Sequence, residues 1–548
     1  MITNRFKTSF AENIFKHKYA QGPTDTWDAL AERLVEDVCG SRWGKDRLLM
    51  SEGDRAQLAE YIKEMKFVPG GRYLWYAGRS NSYFNNCFLL KAEHDTREEW
   101  ADLTQRAVSC LMTGGGIGID YSVLRPSGKP LRRTGGLSSG PIPLMQMINE
   151  VGRGVMQGGS RRSAIYASLN WLHEDIPTFL KAKNWTDEVK ALKEKDFNFP
   201  ASLDMTNISV NYDDKWLHNA YRATLPTFVE NCRQAMMTGE PGFSFNFGDK
   251  QNETLRNACT EVTSEDDSDV CNLGSINIGN IQSLEELQSV VELASKFLVC
   301  GTLRADLPYD KVYQVREKNR RLGLGLMGIH EWLLKRGYGY EVVPELHKWL
   351  KVYKDESERA ANEHCERLYI SKPVAYRAIA PTGSIGILAG TTTGIEPLFA
   401  VAYKRRYLTD GTKWKYEYVV DSTADLLIKE YSIDPEKIDT AQTLSLDFER
   451  RIAFQANIQD YVDMSISSTI NLPEWGSKHN NESRVEEFAS ILSKYAPRLR
   501  GFTVYPDGSR GGQPLTSVPY ETALQHKGVV FAENDICVIG GKGGTCGV

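Results

Sequence analysis

The feature that most constrains the fold is an alternation, from about residue 80 onward, of short apolar runs with glycine-rich turns and amphipathic helical segments. The apolar runs begin near Cys87, Gly114, Ile208, Gly242, Gly323, Ala378 and Gly501. Strands that alternate with helices are typical of α/β proteins. At ~100–200 residues per domain, a chain of this length makes two to four units or one large barrel with additions. Because no fixed-period repeat or long linker interrupts the pattern, we expect one large α/β domain over residues 81–519.

The two ends of the chain differ from this central region. In residues 1–80, Trp27, Leu30, Leu34 and Val38 recur at three- and four-residue steps, which indicates helices. In residues 520–548, glycines at 540, 541, 543, 544 and 547 surround Cys546. We therefore expect a helical N-terminal region and a C-terminal tail too rich in glycine to fold by itself.

The composition excludes several classes of protein. Lys and Arg number 66 against 71 Asp and Glu, and the formal net charge of −5 gives no basic surface for nucleic acid. No run of ~18 apolar residues appears, and the first residues lack the apolar core of a signal peptide, so we expect a cytoplasmic protein without a membrane span. The 10 cysteines are scattered without a Cys-x-x-Cys pair. We therefore expect no metal site and mostly free, buried thiols.

Asn257, Cys259 and Glu261 place an amide, a thiol and a carboxylate at alternate positions. In an extended or loop segment, side chains two residues apart share a face, so the three can converge on one small ligand. Such a trio suits radical or acid–base chemistry, because a sulfur exchanges a hydrogen atom, a carboxylate accepts a proton and an amide orients a hydroxyl. Two further thiols, Cys87 and Cys271, precede short strands. Taken alone, each of the three thiols is better explained as a core residue.

The segment 380–386, Ala-Pro-Thr-Gly-Ser-Ile-Gly, is a different kind of signal. Thr382 and Ser384 offer hydroxyls, and Gly383 lets the backbone approach a ligand, which together with a following helix start suits a phosphate group. It is not a P-loop, because no Gly-Lys-Ser/Thr follows, and an ordinary turn is the alternative. The glycines at 114–118 lack the full dinucleotide spacing and indicate close backbone packing beside a site.

In chain order these motifs resemble the large chain of ribonucleotide reductase, over roughly residues 65–520. The matching motifs are Asn-Asn-Cys87, Gly-Gly-Gly-Ile-Gly-Ile-Asp120, Arg-Pro-Ser-Gly128, Gly-Gly-Ser-Arg-Arg162, Asn257-x-Cys-x-Glu261, Cys271-Asn-Leu-Gly-Ser-Ile-Asn, Arg320-Arg-Leu-Gly-Leu-Gly-Leu-Met-Gly, Ala380-Pro-Thr-Gly-Ser-Ile, Gly394-Ile-Glu-Pro and Thr503-Val-Tyr-Pro-Asp-Gly-Ser-Arg. Each peptide is unspecific alone, but the ordered set is specific.

The resemblance implies a ten-stranded α/β barrel of two antiparallel five-stranded half-sheets, with a finger loop that carries a radical thiol through its centre. By motif match Cys259 is that thiol, and as a thiyl radical it would remove the 3′ hydrogen of the ribose. Glu261 would take the 3′-hydroxyl proton, and Asn257 would hold the sugar. Cys87 would deliver the proton with which the 2′-hydroxyl leaves as water, and would then pair with Cys271 as a disulfide.

The resemblance also names residues around these five. Asn86 would contact the ribonucleotide substrate, and the segment Thr382, Gly383, Ser384 and Ile385 would bind its phosphates. A thioredoxin- or glutaredoxin-like reductant would renew the dithiol through a tail shuttle, Cys546, whose natural partner is Cys537. The eight residues between these two are a wider spacing than the family's usual one.

The branches of this family generate the radical differently. The chain has neither the C-terminal glycyl-radical loop nor an adjacent tyrosine pair, although it contains 25 tyrosines, and the segment 503–510 resembles the class II branch. We therefore expect a reductase that depends on adenosylcobalamin, with diphosphates favoured over triphosphates as substrates. The alternatives are a class I type large subunit that needs a separate metal-radical subunit, and an inactive nucleotide-binding paralogue.

Regulation follows from the same resemblance. A deoxynucleoside triphosphate effector would bind at the edge of a homodimer, between specificity loops at about 132–140 and 154–162 that flank a helix over 141–151. Asp95, Arg132 and Arg133 are the expected effector-binding residues. The N-terminal region is too short for an ATP-cone domain, so we expect no such domain.

Overall fold

The structure is a computed structural model that describes residues 5–40, 48–133, 135–155, 163–196, 199–409, 413–509, 515–526 and 529–532. Its strands within these residues are β1 (Phe67–Pro69), β2 (Cys87–Lys91), β3 (Gly116–Asp120), β4 (Ile165–Asn170), β5 (Thr206–Tyr212), β6 (Gly242–Phe245), β7 (Leu255–Arg256), β8 (Thr263–Ser264), β9 (Asp269–Asn277), β10 (Leu322–Met327), β11 (Ala402–Thr409), β12 (Lys413–Val420), β13 (Thr469–Leu472), β14 (Gly501–Pro506), β15 (Leu515–Ser517) and β16 (Val530–Ala532).

Helices occupy most of the connections between strands. They are α1 (Ser9–Lys18), α2 (Trp27–Cys39), α3 (Glu52–Lys63), α4 (Gly71–Tyr76), α5 (Arg97–Met112), α6 (Ile142–Gly154), α7 (Ile176–Leu180), α8 (Asp187–Lys195), α9 (Asp214–Leu217), α10 (Pro226–Thr238), α11 (Leu284–Arg304), α12 (Asp310–Asn319), α13 (Ile329–Lys335), α14 (Pro344–Leu368), α15 (Gly383–Ala389), α16 (Ser422–Tyr431), α17 (Ala441–Leu444), α18 (Phe448–Gln459), α19 (Val485–Tyr495) and α20 (Tyr520–Gln525). Side-chain oxygens of Thr26, Ser51, Thr96 and Ser283 cap α2, α3, α5 and α11, which fixes where these helices begin.

The first half of the barrel is a parallel sheet of β2, β3, β4, β5 and β6, in that order. These strands are short and almost entirely buried. Burial on both faces is the usual state of a parallel strand, because helices cover one face and the other faces the interior.

The second half-sheet is also parallel and contains β9, β10, residues 377–379, β13 and β14. Bridges from Leu324 to Arg377 and from Ile379 to Ile466 join the central segment to its neighbours. The two half-sheets meet antiparallel at both edges, where β2 pairs with β9 and β6 pairs with β14. Within the described residues ten strand segments therefore close into a ring, and the predicted ten-stranded α/β barrel is confirmed.

The ring has two mouths, which the strand directions define. At one mouth β6 ends and β9 begins, and the chain between them, residues 246–268, enters the ring there. We call this the loop mouth. At the opposite mouth, the far mouth, the first half-sheet begins and the second half-sheet ends, because the two halves run antiparallel. Ligands of parallel sheets bind outside the carboxyl ends of strands, which for the second half-sheet lie at the far mouth.

Two regions flank the barrel. The N-terminal region is mainly helical, as its periodicity predicts, but it also contributes β1, which pairs antiparallel with β9 beyond the start of β2. At the other end of the chain, β15, β11, β12 and β16 form a separate four-stranded sheet. Residues 515–526 and 529–532 are thus largely part of a sheet and a helix that the sequence pattern did not reveal. Cys537 and Cys546 lie outside the described residues, and no helix in the described part is both long and apolar enough to cross a membrane.

Candidate active site

The chain that enters at the loop mouth contacts both half-sheets from inside the ring. Asn207 of β5 donates its amide Nδ2 to the carbonyl oxygen of Ala258, at 3.2 Å. On the other side, the backbone N–H of Ser465 donates to the carbonyl oxygen of Glu261, at 2.8 Å. The segment between β7 and β8 is therefore the central finger loop that the sequence led us to expect.

A tight turn forms the tip of the finger loop. The backbone N–H of Thr260 donates to the carbonyl oxygen of Asn257 at 2.9 Å, and Thr260 has a left-handed φ of 71°. This turn presents Cys259 as an exposed side chain at the tip, while Asn257 and Glu261 are only 2% and 1% exposed. The surrounding barrel wall raises the pKa of the Cys259 thiol by desolvation, so the thiol stays protonated at neutral pH.

Glycine at position 118 makes room for the loop. A Cβ on Gly118 would lie 1.7 Å from the carbonyl oxygen of Arg256, a distance no side chain can occupy. Close backbone packing was expected for the glycines at 114–118. At Gly118 it arises because β3 approaches the strand that leads into the finger loop.

Two thiols lie opposite each other on neighbouring strands. Cys87 and Cys271 are cross-strand partners where β2 pairs antiparallel with β9. Directly opposite residues in such a pair have Cα atoms ~4.5–5.5 Å apart, within the ~4.4–6.8 Å that a disulfide bridges. Both cysteines are free in this structure, so the strand register holds a dithiol in a position to oxidise.

Asn257, Cys87 and Glu261 form a short polar chain in an otherwise apolar interior. The amide Nδ2 of Asn257 donates to the Cys87 sulfur at 3.0 Å, and the Cys87 thiol lies 3.9 Å from Oε1 of Glu261. Burial raises the pKa of Glu261 to about 7. Burial, together with the Glu261 charge, raises the pKa of Cys87 well above its usual value. The site thus holds a protonated thiol beside a carboxyl group that exchanges its proton near neutral pH.

One oxygen of Glu261 has no partner in the protein. Its Oε2 is buried and accepts no hydrogen bond, and the same is true of the side-chain Oδ1 of Asn86, the residue before Cys87. Buried acceptors in native proteins are normally satisfied. The unpaired oxygen of Glu261, whose other oxygen lies 3.9 Å from the Cys87 sulfur, is an acceptor that a ligand with hydroxyl groups would satisfy.

Around these groups the barrel interior is lined by small and apolar residues. The interior cluster consists of Cys87, Leu89, Leu255, Val262, Cys271, Leu273, Ala375, Ala378, Ala380 and Met464. Two of its members, Ala378 and Ala380, lead directly into the segment 382–385 at the far mouth. A ligand in that segment would therefore border the compartment that contains the thiols.

The segment 382–385 has an open approach. Thr382 adopts a left-handed φ of 50° and accepts the backbone N–H of Gly394 on its hydroxyl, at 2.8 Å. Nothing lies within 4 Å of the place where a Cβ of Gly383 would be. Ser384 is half-buried and accepts a hydrogen bond from the ammonium Nζ of Lys18, at 2.8 Å.

A cavity of about 590 Å³ opens beside the finger loop at the far mouth. Its wall includes the starts of β5 and β6 and the segments that follow β13 and β14. Its lining includes Trp185, Met205, Asn207, Met237 and Trp475, together with charged side chains from the same segments. Asn207 also bonds to Ala258, the residue before Cys259. The same side chain therefore contacts both the cavity and the tip of the finger loop.

Sequence reasoning missed the ion pairs at the base of the finger loop. Glu253 lies 2.9 Å from the guanidinium of Arg500 and 3.6 Å from that of Arg321, which in turn pairs with Asp269 at 2.7 Å. Burial alone would raise the pKa of Glu253, but the two guanidinium groups lower it to about 2. The Arg-Arg pair in the 320–328 motif was the available signal for this network.

Comparison with known proteins identifies the family. The family description "Ribonucleotide reductase, barrel domain" matches residues 85–224, 229–348 and 374–505. The chain belongs to the ribonucleotide reductase family. The resemblance inferred from the ordered motifs is thereby confirmed.

Two curated relatives of this ribonucleotide reductase chain carry the same description, vitamin B12-dependent ribonucleoside-diphosphate reductase. The protein of Mycobacterium tuberculosis (strain CDC 1551 / Oshkosh) is 26% identical over 92% of this chain and 78% of its own length. That of Thermoplasma acidophilum is 26% identical over 84% of this chain and 66% of its own length.

Solved ribonucleotide reductases share the fold. A crystal structure of a B12-dependent (class II) enzyme matches with a TM-score of 0.69 at 17% identity, over 94% of this chain and 93% of that one. The class Id alpha subunit of Actinobacillus ureae matches with a TM-score of 0.71 at 17% identity, over 92% and 98%. Because the two belong to different branches, these matches show the barrel and do not separate the branches.

The residues predicted for an effector lie on the outer surface of this ribonucleotide reductase. Asp95 pairs with Arg125 through its carboxylate at 2.5 Å. Arg132 and Arg133 are exposed, and Arg133 is near enough to α5 to help lower the pKa of Glu98, after the larger effect of Arg97. The predicted helix over 141–151 is α6, which begins one residue later and ends at Gly154, whereas residues 156–162 of the second loop lie outside the described part.

Proposed function

We propose that this chain reduces ribonucleoside diphosphates to 2′-deoxyribonucleoside diphosphates by a thiyl-radical mechanism that depends on adenosylcobalamin. The observation that carries the proposal is the dithiol Cys87–Cys271 held in register opposite the finger loop that presents Cys259. The M. tuberculosis and T. acidophilum relatives, named as B12-dependent diphosphate reductases, support the cofactor and the substrate.

In the proposed reaction Cys259, as a thiyl radical, removes the 3′ hydrogen atom of the ribose and later returns it. Glu261 takes the 3′-hydroxyl proton, and its pKa of about 7 suits a general base at neutral pH. The raised pKa of Cys87 keeps its proton available for the 2′-hydroxyl, which leaves as water. The two electrons that reduce the ribose come from Cys87 and Cys271. The two thiols are oxidised to a disulfide, and the 2′ oxygen of the substrate leaves as water.

The substrate would be held on both sides of this chemistry. Asn257 would donate an amide proton to the sugar, while its Oδ1 accepts the backbone N–H of Val262 at 2.9 Å and so fixes the amide orientation. Asn86 offers its unpaired Oδ1. Thr382, Gly383, Ser384 and Ile385 would bind the phosphates at the far mouth. The ring of strands would shield the radical from bulk water and from the thiols of other molecules.

Part of the proposed cofactor would occupy the cavity beside the finger loop, whose lining combines apolar and charged side chains. The cavity volume lies in the ~300–1,000 Å³ range of small-molecule sites, and Trp185, Trp475, Met205 and Met237 offer apolar faces to part of a corrin and its adenosyl group. When bound, adenosylcobalamin supplies the radical that takes the hydrogen atom from the Cys259 thiol. Asn207, which lines the cavity and bonds to the loop, would keep the tip of the loop at the cavity wall.

Re-reduction and regulation complete the proposal. A thioredoxin- or glutaredoxin-like protein would reduce the disulfide through Cys546, with Cys537 as its partner, by mixed-disulfide exchange. A deoxynucleoside triphosphate would bind near Asp95, Arg132 and Arg133 at the edge of a homodimer. Met147 of α6 is half-exposed, which suits a helix that packs against its twin.

The test is turnover of CDP by the purified chain with a small dithiol, with and without adenosylcobalamin. We expect dCDP only when adenosylcobalamin is present, and one disulfide between Cys87 and Cys271 after a single turnover without reductant. Turnover that appears only after an iron or manganese subunit is added would instead favour the class I alternative. No turnover under either condition would contradict the proposal.

A further inference from the structure

We propose that Lys18 of the N-terminal region is a substrate-binding residue, which donates to the phosphates of the nucleotide at the segment 382–385. This inference rests on the proposed function and adds a cation to the phosphate site. Residues 1–84 lie outside the part of the chain matched by the barrel-domain family, so neither the motifs nor the comparisons assign them a role.

The first observation is the contact itself. The ammonium Nζ of Lys18 donates to the hydroxyl oxygen of Ser384 at 2.8 Å, although 366 positions separate the two residues in the chain. A lysine ammonium carries three donors in a flexible arrangement. The Ser384 hydroxyl and a phosphate oxygen can therefore share the same ammonium group.

The second observation is that α1 is fixed against α15 at both ends, so Lys18 does not reach Ser384 by chance. Two residues before α1, Lys7 donates its Nζ to the carbonyl oxygen of Gly390 at 3.1 Å and pairs with the buried Glu331 at 3.3 Å. Ala11 and Phe15 bury the face of α1 between these ends. The segment from Lys7 to Lys18 thus runs along α15 from the residue that follows its last turn to its first turn. Lys18 stands at the end where the phosphates would bind.

The third observation is the space beside the ammonium group. Gly383, which precedes Ser384, is exposed and has no atom within 4 Å of its missing Cβ position. Lys18 is half-buried at this opening. A doubly or triply charged phosphate chain entering there would meet a cation, two hydroxyls and backbone N–H groups, which is the donor set that phosphate recognition uses.

The chemistry predicts which ligands depend on Lys18. A nucleoside diphosphate gains a charge-assisted hydrogen bond from the ammonium group, whereas the uncharged nucleoside gains none. Removing one such bond typically weakens binding by about tenfold or more. The chemical step should be unaffected, because Lys18 contacts the phosphate segment and not the thiols, Asn257 or Glu261.

The experiment compares Lys18→Met with Lys18→Arg and with Lys16→Met, a matched control on the same helix whose lysine pairs with Glu12. Dissociation constants for CDP and for cytidine are measured by calorimetry or competition without cofactor, and KM and kcat for CDP with it. We expect Lys18→Met to raise the Kd and KM for CDP about tenfold, with kcat within twofold and cytidine binding unchanged. Lys18→Arg should restore CDP binding to within about threefold, and Lys16→Met should match wild type.

Two outcomes would overturn the inference. One is CDP affinity within twofold of wild type in Lys18→Met, and the other is an equal loss for cytidine and CDP that Lys18→Arg does not rescue, which would mean that α1 only supports the fold. Both are read against a wild-type chain that reduces CDP. If wild type neither binds nor reduces CDP, the proposed function itself fails, and the two failures are therefore distinguishable.

Discussion

Glu253, half-buried at the base of the finger loop, and Glu261, buried near its tip, are carboxylates whose surroundings give them opposite properties. At the base of the loop, burial is outweighed by the guanidinium groups of Arg500 and Arg321, which lower the pKa of Glu253 to about 2. Near the tip, burial raises the pKa of Glu261 to about 7, and its polar neighbours are the amide of Asn257 and the thiol of Cys87. The paired carboxylate keeps a fixed charge that holds the loop, whereas the other can exchange a proton during a reaction.

The largest expected difference between the two glutamates is in activity. Glu261→Gln cannot accept the 3′-hydroxyl proton, so kcat for CDP should fall ~10²–10⁴-fold, the usual contribution of a positioned base. Glu253→Gln leaves the thiols and Asn257 untouched, and kcat should stay within about tenfold of wild type. Deoxynucleotide formation by both variants, with circular dichroism to verify folding, checks this. More than a tenth of wild-type kcat in Glu261→Gln would contradict the assigned role.

The next difference is in stability at neutral pH. Glu253→Gln leaves the buried Arg500 without its ion-pair partner, whereas Arg321 keeps Asp269. Breaking a buried ion pair in this way typically costs about 3–5 kcal/mol. Because the folded pKa of Glu253 is depressed from 4.5 to about 2, its contribution is present above pH ~4.5 and is lost as the pH falls toward 2. Urea unfolding at pH 7 measures the loss. An unchanged unfolding midpoint would show that the network does not stabilise the loop.

The two glutamates also show what the sequence could predict and what it could not. The alternate spacing of Asn257, Cys259 and Glu261 indicated that the three side chains can converge, because that information is local, and the family resemblance assigned their roles. The turn that lifts Cys259 to the tip depends on the left-handed φ of Thr260, which residue spacing does not encode. The pairing of Glu253 with Arg500 joins residues 247 positions apart, and only the closed ring brings them together.

The same distinction holds for the barrel as a whole. The motifs predicted its strand number and half-sheets through family resemblance, whereas the register that sets Cys87 opposite Cys271 follows from packing. Lys18 was unpredicted for the same reason, since its partner Ser384 is distant in the chain. Short motifs identify reactive residues, and tertiary structure decides which of them are charged, paired or open to a ligand.

A smaller effect of opposite sign is expected for the stability of Glu261→Gln. The folded pKa of Glu261 is raised from 4.5 to about 7, so the protonated group stabilises the fold below pH ~4.5, and that contribution is lost as the pH rises through 7. At pH 8 the buried charge costs up to about 3 kcal/mol, which a neutral amide avoids. Glu261→Gln should therefore unfold at higher urea than wild type at pH 8, with little difference at pH 5. Equal urea midpoints for Glu261→Gln and wild type at both pH values would mean that the charge of Glu261 does not destabilise the fold.

The smallest expected effect concerns the pH at which activity is lost, and it decides which glutamate sets that pH. The acid limb of kcat/KM reports the base of the free enzyme, so wild-type activity should fall as the pH drops through about 7, where Glu261 becomes protonated. The groups that shift the pKa of Glu261 are its buried surroundings, Asn257, its own backbone and Cys87, and Glu253 is not one of them. Glu253→Gln should therefore leave the acid limb of kcat/KM within about 0.3 pH units of wild type, although it lowers stability.

Because CDP also titrates, its Kd is measured over the same pH range and the acid limb is corrected for binding. A limb that moves toward pH 4.5 in Glu253→Gln would mean that the charge of Glu253, and not burial, holds Glu261 in its protonated state.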